Sequence, residues 1–211
     1  MGPVAQGIKE GSKSHWLASK FAKAGEVSIV AAIQEELGAE DNKIRSAAAK
    51  TLSHLAGHRP EWFQDHLSTY LTDLESDQNI MRWAAMDIAG HLVATDTKGQ
   101  IDESVLNVMI AAVADDSMVT AAHAIDNLAR LGNARPAWHS TILAELFRVE
   151  TTPRAANCRE VLLSKVADAL GSLLPNLSEV NRAAVITFLN RLAMSDGRDG
   201  KKAAKVLKRQ R

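Results

Sequence analysis

Four stretches of this chain repeat one pattern at a nearly constant interval. They read DNKIRSAAAKTLSHLAG from Asp41, DQNIMRWAAMDIAGHLVA from Asp77, DDSMVTAAHAIDNLARLG from Asp115 and NCREVLLSKVADALGSLL from Asn157. Equivalent positions are 37, 37 and 40 residues apart and hold Arg45, Arg82, Val119 and Arg159. The stretches are rich in Ala and Leu, which favours helix. A repeat of this length predicts a stacked helical solenoid, because one helix pair cannot bury its apolar face alone.

A segment with one broad apolar face precedes each alanine-rich stretch. Residues 61–74 place Trp62, Phe63, Leu67, Tyr70 and Leu71 at helical spacing, and similar faces occur at 27–37, 105–113, 142–147 and 184–192. The sequence therefore predicts an all-α chain of helix pairs. In each pair, the "first helix" carries the apolar face and the "second helix" is alanine-rich.

The second helices follow the pattern D-x-x-[VI]-R-x-x-A-A, matched best by DNKIRSAAA from Asp41 to Ala49. This pattern resembles the HEAT-repeat family over about residues 26–193. The resemblance implies a right-handed α-α superhelix, a HEAT-like solenoid of about five helix pairs with an N-terminal capping helix. It also implies a ladder in which the turn Asp and the Arg of the second helix bond between neighbouring repeats. The matching residues are Asp41, Arg45, Asp77, Arg82 and Arg159.

The repeat register divides a single predicted domain of residues 1–211 into smaller parts. Residues 1–25 form a leader and the cap helix, in which Trp16, Leu17, Phe21 and Ala24 share one side. Helix pairs are expected at 26–58, 59–98, 99–134, 135–175 and 176–211. Val119 replaces the arginine of the third copy, so the ladder is expected to break there.

The formal net charge of zero hides an uneven distribution. Residues 1–24 carry +3, residues 197–211 carry +6, and the body between them carries −9. The basic C-terminal segment either caps the solenoid or binds an anion through Lys201, Lys202, Lys205, Lys208 and Arg209. The sequence has no long apolar run, no signal-like N-terminus and only one cysteine, Cys158, so a cytoplasmic location is the default expectation.

Two short stretches, GHRPEWF from Gly57 and GNARPAWH from Gly132, share Arg-Pro-x-Trp. Each lies between a second helix and the following first helix. Gly57 and Gly132 are expected to end the second helix in the left-handed conformation, and Pro60 and Pro136 to begin the next one. The shared motif is therefore predicted to be a connection between repeats and not a duplicated site.

The sequence does not favour catalysis. The stretch GIKEGSKS from Gly7 lacks the second glycine of a phosphate-binding loop and is expected to be a flexible leader, and neither G-x-S-x-G nor H-E-x-x-H occurs. His54 and His91 hold equivalent places in successive repeats, too far apart to share a metal ion comfortably. We therefore predict a non-enzymatic protein without a metal, a cofactor or a catalytic residue.

Solenoids bind partners along an extended face, which in HEAT-like folds is formed by the second helices. The stripe predicted to be exposed there contains Trp83, Asp87, His91, His123, Asn127 and Arg130. Trp83 occupies a position where neighbouring repeats have Ser46 and Thr120. It is therefore either a binding hot spot or a side chain that fills a gap between helices. The leading hypothesis is a protein-interaction module that binds a protein partner around Trp83.

An alternative is nucleic-acid binding. The Trp83-x-x-x-Asp87 pair looks similar to one in alkylation-repair DNA glycosylases built on HEAT-like repeats, which also use an Arg from the following repeat. Ala122 and His123 occupy the place of that Arg, and the acidic body opposes the binding of phosphates. No interaction with a membrane is expected under either hypothesis, and neither assigns an oligomeric state.

Overall fold

The computed structural model describes residues 1–209, and this range is helical with no strand. The prediction of an all-α fold is confirmed. The α-helices are α1 (Pro3–Lys9), α2 (Ser14–Ala24), α3 (Ile29–Glu35), α4 (Asn42–His58), α5 (Leu67–Asp73), α6 (Asn79–Leu92), α7 (Glu103–Ala112), α8 (Met118–Ala134), α9 (His139–Arg148), α10 (Ala156–Leu173), α11 (Glu179–Leu192) and α12 (Arg198–Lys208). Short 3-10 turns lie at Glu36–Gly38, Pro60–Trp62, Gln64–His66, Pro136–Trp138, Val149–Thr151 and Leu174–Asn176.

The helices form two compact units. Unit 1 comprises Met1–Asp102, and unit 2 comprises Glu103–Arg211, described as far as Arg209. Unit 1 contains the consecutive pairs α1–α2, α3–α4 and α5–α6, and unit 2 contains α7–α8, α9–α10 and α11–α12. From α3 onwards these pairs fall within the predicted repeats 26–58, 59–98, 99–134, 135–175 and 176–211.

The N-terminal segment differs from the flexible leader and single cap helix predicted for residues 1–25. It forms the pair α1–α2, so the chain has six helix pairs within the described residues. The carboxylate of Glu36 accepts hydrogen bonds from the backbone N–H groups of Val4 (2.9 Å) and Ala5 (2.7 Å). These N–H groups have no partner inside a helix, so Glu36 both caps α1 and fixes its position.

Second helices pack against second helices within each unit. In unit 1, α4 lies between α2 and α6, and in unit 2, α10 lies between α8 and α12. The buried side chains of these helices are mainly Ala and Leu, such as Ala48 and Leu52 on α4 and Ala167 and Leu170 on α10. Small alanines allow helix axes to approach closely, which explains why the alanine-rich helices form the centre of each unit.

The predicted roles of Gly57 and Gly132 are wrong. Both glycines lie inside their helices, α4 and α8, and among the described residues only Gly11, Gly25 and Gly99 have positive φ. A Cβ atom at Gly57 would lie 2.9 Å from the His91 ring on α6, and one at Gly132 would lie 2.7 Å from Leu173 on α10. These glycines therefore leave room for the neighbouring second helix and do not end their own.

The two prolines begin the next element, as predicted, but this element is a 3-10 turn at Pro60–Trp62 and at Pro136–Trp138. The helix expected over residues 61–74 consequently divides into two 3-10 turns followed by α5. Arg59 places its guanidinium over the Trp62 ring, 4.8 Å from the centroid.

None of the helices described here has the length and apolar composition that crossing a bilayer requires.

Candidate functional site

The predicted hot spot on α6 is buried. Trp83 exposes 4% of its surface and Asp87 6%, so the prediction that they belong to an exposed stripe is wrong. The Asp87 carboxylate accepts a hydrogen bond from the Ser53 hydroxyl on α4, at 2.7 Å. Trp83 lies one turn before Asp87 on the same side of the helix. This side of α6 is therefore turned toward its neighbours in the fold, in agreement with the alternative that Trp83 is a packing residue.

His91 continues the same side of α6 by one more turn. It is half-buried, and its ring lies where it would touch a side chain at Gly57 of α4. The tight fit identifies His91 as a helix-packing residue in unit 1, and its partly exposed surface is the remainder of the predicted stripe on this helix.

The predicted residues of unit 2 lie together on α8. Asn127 is fully buried, and its side-chain amide donates to the backbone carbonyl of His123 at 2.9 Å. The Asn127 amide oxygen accepts a hydrogen bond from Arg130 Nη1. His123 and Arg130 are half-buried. Asn127 is thus an internal link on the helix, and the polar groups that reach solvent on this face belong to His123 and Arg130.

The arginines of the predicted ladder hold the turn of their own repeat. Arg45 Nη1 donates to the carbonyl of Ala39 at 2.7 Å, and Arg82 Nη1 donates to the carbonyl of Ser76 at 3.4 Å, each six residues earlier in the chain. Arg159 Nη2 donates to the carbonyl of Arg154 at 2.8 Å. These bonds stabilise the connection between the first and second helices of one pair, and the bond between neighbouring repeats stays a prediction.

The aspartates of the predicted ladder lie at the turns before the second helices. The Asp41 carboxylate accepts from the backbone N–H of Lys43 at 2.7 Å, which makes Asp41 the N-cap of α4. Asp77 is exposed at the corresponding turn of the next pair. A short Asp side chain before a helix satisfies its free N–H groups locally, and this competes with a longer-range bond to arginine.

Arg154 forms the hydrogen bonds that an arginine at position 119 would be expected to form. The sequence did not predict this role for Arg154. Six residues before Val119 is Val113, whose carbonyl accepts from Arg154 Nη2 at 3.1 Å. The same atom donates to the carbonyl of Asp115 at 2.5 Å. A guanidinium from the following connection thus replaces the arginine missing from α8. Since Arg154 is 35 residues beyond Val119 in the chain, the repeat register alone could not predict this contact.

The basic C-terminal segment is partly paired. Lys202 forms an ion pair with Asp168 on α10 at 2.7 Å, and the backbone N–H of Arg198 donates to Glu160 Oε1 at 2.5 Å. A hollow of about 570 Å³ beside α12 contains Glu160, Asp196, Gly197, Arg198, Lys201, Lys202 and Lys205. Its lining has both signs of charge. Of the other residues predicted to bind an anion, Lys208 and Arg209 are exposed.

A second basic surface lies on α2 and α4 of unit 1. Trp16 on α2 is 71% exposed, although it was predicted to share an apolar side with Leu17, which is buried. His15 lies edge-on to Trp16 and to His54 of α4, with ring centroids 6.4 Å and 6.2 Å apart. The sequence signal that indicates this surface is the absence of Asp and Glu from both helices.

Tyr70 is a titratable group that responds strongly to burial. Its hydroxyl lies 3.3 Å from Gln34 Oε1 and donates a hydrogen bond to it. Burial, together with the nearby Asp73 carboxylate, raises the pKa of Tyr70 well above its ordinary value of 10.0. Burial also raises the pKa of Asp73. Both effects follow from the packing of α5 and carry no indication of a reaction.

Residues 1–209 contain no group of three His, Cys, Asp or Glu side chains placed to hold a metal ion.

No family model and no curated protein matches this chain in sequence. Among solved structures, two crystal structures of engineered proteins from the Northeast Structural Genomics Consortium resemble it. The first has 15% identity and a TM-score of 0.52, covering 99% of this chain and 96% of the engineered one. The second has 18% identity and a TM-score of 0.54, covering 92% and 90%. Similarity at this level concerns the fold alone.

Proposed function

We propose that this chain is a non-enzymatic, HEAT-like interaction module that binds a protein partner along the outward face of its second helices. In this proposal the helix pairs belong to a right-handed α-α superhelix of the HEAT type. Repeats of this kind bind through an extended surface and not through one enclosed pocket. The proposal therefore concerns a surface on several helices.

The observation that carries the proposal is the fixed register between successive second helices. Ser53 of α4 bonds to Asp87 of α6 in unit 1. Lys165 of α10 bonds to Asp126 of α8, and Lys202 of α12 to Asp168 of α10, in unit 2. These side chains hold neighbouring helices at defined positions. A rigid array loses little conformational entropy on binding, which favours its use as a preformed docking surface.

The partner surface consists of exposed positions on the second helices and no longer includes Trp83 as its centre. Lys50 on α4 and Val119 on α8 are exposed examples in the two units. Buried Trp83 and Asp87 contribute to the scaffold instead. The same burial counts against a base-excision role for this pair, because a flipped base must contact its pocket directly.

Photo-crosslinking in a lysate of the source organism tests this function. A photoreactive amino acid replaces Lys50 or Val119 on second helices, and the matched controls replace the exposed residues Glu35 of α3 and Thr187 of α11 on first helices. We expect protein adducts from the second-helix positions that resist nuclease and are absent from the first-helix positions. Equal adducts at all four positions, or adducts removed by nuclease, would contradict the proposal.

A further inference from the structure

The second helices α2 and α4 form a surface without carboxylates. Helix α2 contributes Lys20 and Lys23, helix α4 contributes Lys43 and Lys50, and neither helix contains Asp or Glu. His15 of α2 lies beside His54 of α4, with ring centroids 6.2 Å apart, and the hollow that contains Lys43 and Lys50 also includes Ser14 of α2. The exposed sides of the two helices therefore adjoin in unit 1. Like charges on adjacent helices raise the local potential and attract an anionic partner.

The lysines of this surface are not used to hold the fold together. Lys20, Lys23, Lys43 and Lys50 are all exposed, and they form no ion pair with any residue between 1 and 209. A surface lysine that pairs within its own fold has part of its charge compensated. Here the four ammonium groups keep their full charge for a partner.

Trp16 adds an apolar contact next to these charges. A hollow of about 500 Å³ is lined by His15, Trp16, Ser19, Lys20 and Lys23. A second hollow of about 370 Å³ is lined by Ser14, Asn42, Lys43, Ser46, Ala47 and Lys50. Neither lining includes a carboxylate. An exposed tryptophan surrounded by polar groups is the composition found at the centre of protein-binding surfaces.

We propose that this α2–α4 surface binds a short acidic segment of a protein, with one apolar side chain of the segment against Trp16 and its carboxylates on the lysines. This inference rests on the proposed function in taking the partner to be a protein. Charge complementarity selects the acidic character, and the exposed indole selects the apolar anchor.

The size of the surface favours a short segment over a nucleic acid. Helix α4 has 17 residues, hence a length of about 25 Å at roughly 1.5 Å per residue. About eight residues of extended chain cover that distance at roughly 3.4 Å each. Carboxylates lie beyond both ends of α2, at Glu10 and Glu26, and at the N-terminal end of α4, at Asp41. A polyanion that continued past any of these three helix ends would therefore meet like charge.

Binding of labelled probes to the full chain tests the proposal. The probe is a fluorescein-labelled peptide of about eight residues, all Glu except one central Leu. A peptide with Gln in place of Glu and a fluorescein-labelled oligothymidylate of similar length are compared with it. The test variant is the triple Lys20→Glu/Lys23→Glu/Lys50→Glu, and the matched control reverses three other exposed lysines, Lys98, Lys201 and Lys205. Circular dichroism checks that both variants are folded.

We expect the acidic peptide to bind and the Gln peptide not to bind. The test variant should lose affinity at least tenfold and the control less than about twofold, because only the former removes complementary charge. Raising the salt concentration from about 50 to 200 mM should weaken the peptide complex through screening. The proposal is overturned if the acidic peptide does not bind, if the control loses as much as the test variant, or if the oligothymidylate binds more tightly.

Tryptophan fluorescence supplies an independent readout. Trp16 is exposed, Trp62 and Trp83 are buried, and Trp138 is half-buried. We expect peptide binding to shift the emission in the wild type but not in Trp16→Phe. An identical shift in the variant would contradict contact at Trp16. If Lys50 crosslinks to a protein in lysate but the acidic peptide does not bind, this inference is wrong and the proposed function stands. If no second-helix position crosslinks to a protein, the proposed function itself is wrong.

Discussion

Units 1 and 2 contain the same number of helix pairs but join their second helices by different chemistry. In unit 1, α4 and α6 share the hydrogen bond between Ser53 and Asp87, which is buried. In unit 2, the corresponding contacts are the ion pairs Lys165–Asp126 and Lys202–Asp168, at 2.6 Å and 2.7 Å. In unit 2, lysines therefore form ion pairs between neighbouring second helices. In unit 1, the lysines of α2 and α4 are exposed to solvent.

The difference shows that the number of lysines does not identify an anion-binding surface. The C-terminal segment has the larger formal charge, but Lys202 is paired and the hollow beside it includes Glu160 and Asp196. The α2–α4 surface has as many lysines as the C-terminal segment, four, yet Lys20 and Lys50 have no acidic neighbour on their helices. The distribution of carboxylates decides which surface keeps its charge.

The largest effect is expected from filling the close approaches between second helices. An added Cβ lies 2.9 Å from the His91 ring at Gly57 in unit 1 and 2.8 Å from Val206 at Gly171 in unit 2. Gly57→Ala and Gly171→Ala should each lower the free energy of unfolding by up to about 3 kcal/mol, the range for overpacking, less the gain in helix propensity. Gly38→Ala is the control, since nothing lies within 4 Å of its Cβ position. Urea unfolding measures all three, and equal stability of Gly57→Ala and Gly38→Ala would show that α4 and α6 are less tightly packed.

Removal of the buried carboxylate in unit 1 should have the next largest effect. Asp87→Ala leaves the Ser53 hydroxyl without this acceptor and should cost about 2 kcal/mol. Asp87→Asn keeps an acceptor oxygen and should cost less. Thermal unfolding compares these variants with Asp126→Ala in unit 2, which removes a partly exposed partner and should cost under about 1 kcal/mol. A larger loss for Asp126→Ala would reverse the comparison between the units.

Alkaline pH should weaken unit 1 through Tyr70. Because burial raises the folded pKa of Tyr70, the folded state keeps a proton that the unfolded chain releases near pH 10. The contribution of Tyr70 to the free energy of unfolding is fully present below pH 10. It is lost as the pH rises further, by at most about 1.4 kcal/mol per pH unit for one proton. The free energy of unfolding is measured from pH 9 to 11 for the wild type and for Tyr70→Phe. Because the lysines titrate in both proteins, the difference between the two curves reports the contribution of Tyr70 alone. Tyr70 is the sole tyrosine, so phenolate absorbance also reports its ionisation directly. Phenolate formation near pH 10 in the folded protein would contradict the prediction.

The smallest effect is expected for the ion pair on the surface of unit 2. The Lys165 and Asp126 side chains are 42% and 32% exposed. A double-mutant cycle should therefore give a coupling energy of about 0.5 kcal/mol, decreasing at high salt. The Ser53–Asp87 pair provides the comparison, and its coupling should be insensitive to salt. A salt-independent coupling for Lys165 and Asp126 would mean that this contact is as shielded as the one in unit 1.

Much of the fold could be predicted because the repeat depends on local pattern. The alanine-rich segments became second helices, and Asp41 precedes α4 as a good N-cap residue should. The exposure of Trp83 was predicted wrongly because a rotation of its helix by a few tens of degrees decides whether a position faces solvent or a neighbouring helix. Gly57 was misjudged for a related reason, since a glycine serves equally well as a helix end or a close-approach site.

The sequence by itself determined the all-helical class, the approximate bounds of the helix pairs and the lack of carboxylates on α2 and α4. These properties depend on residues close together in the chain. The tertiary structure decided that Asp87 is buried against Ser53, that Arg154 bonds to the carbonyl of Val113, and that Trp16 is exposed. Such contacts depend on the rotation and separation of packed helices, which result from many weak interactions between residues about 34 to 41 positions apart.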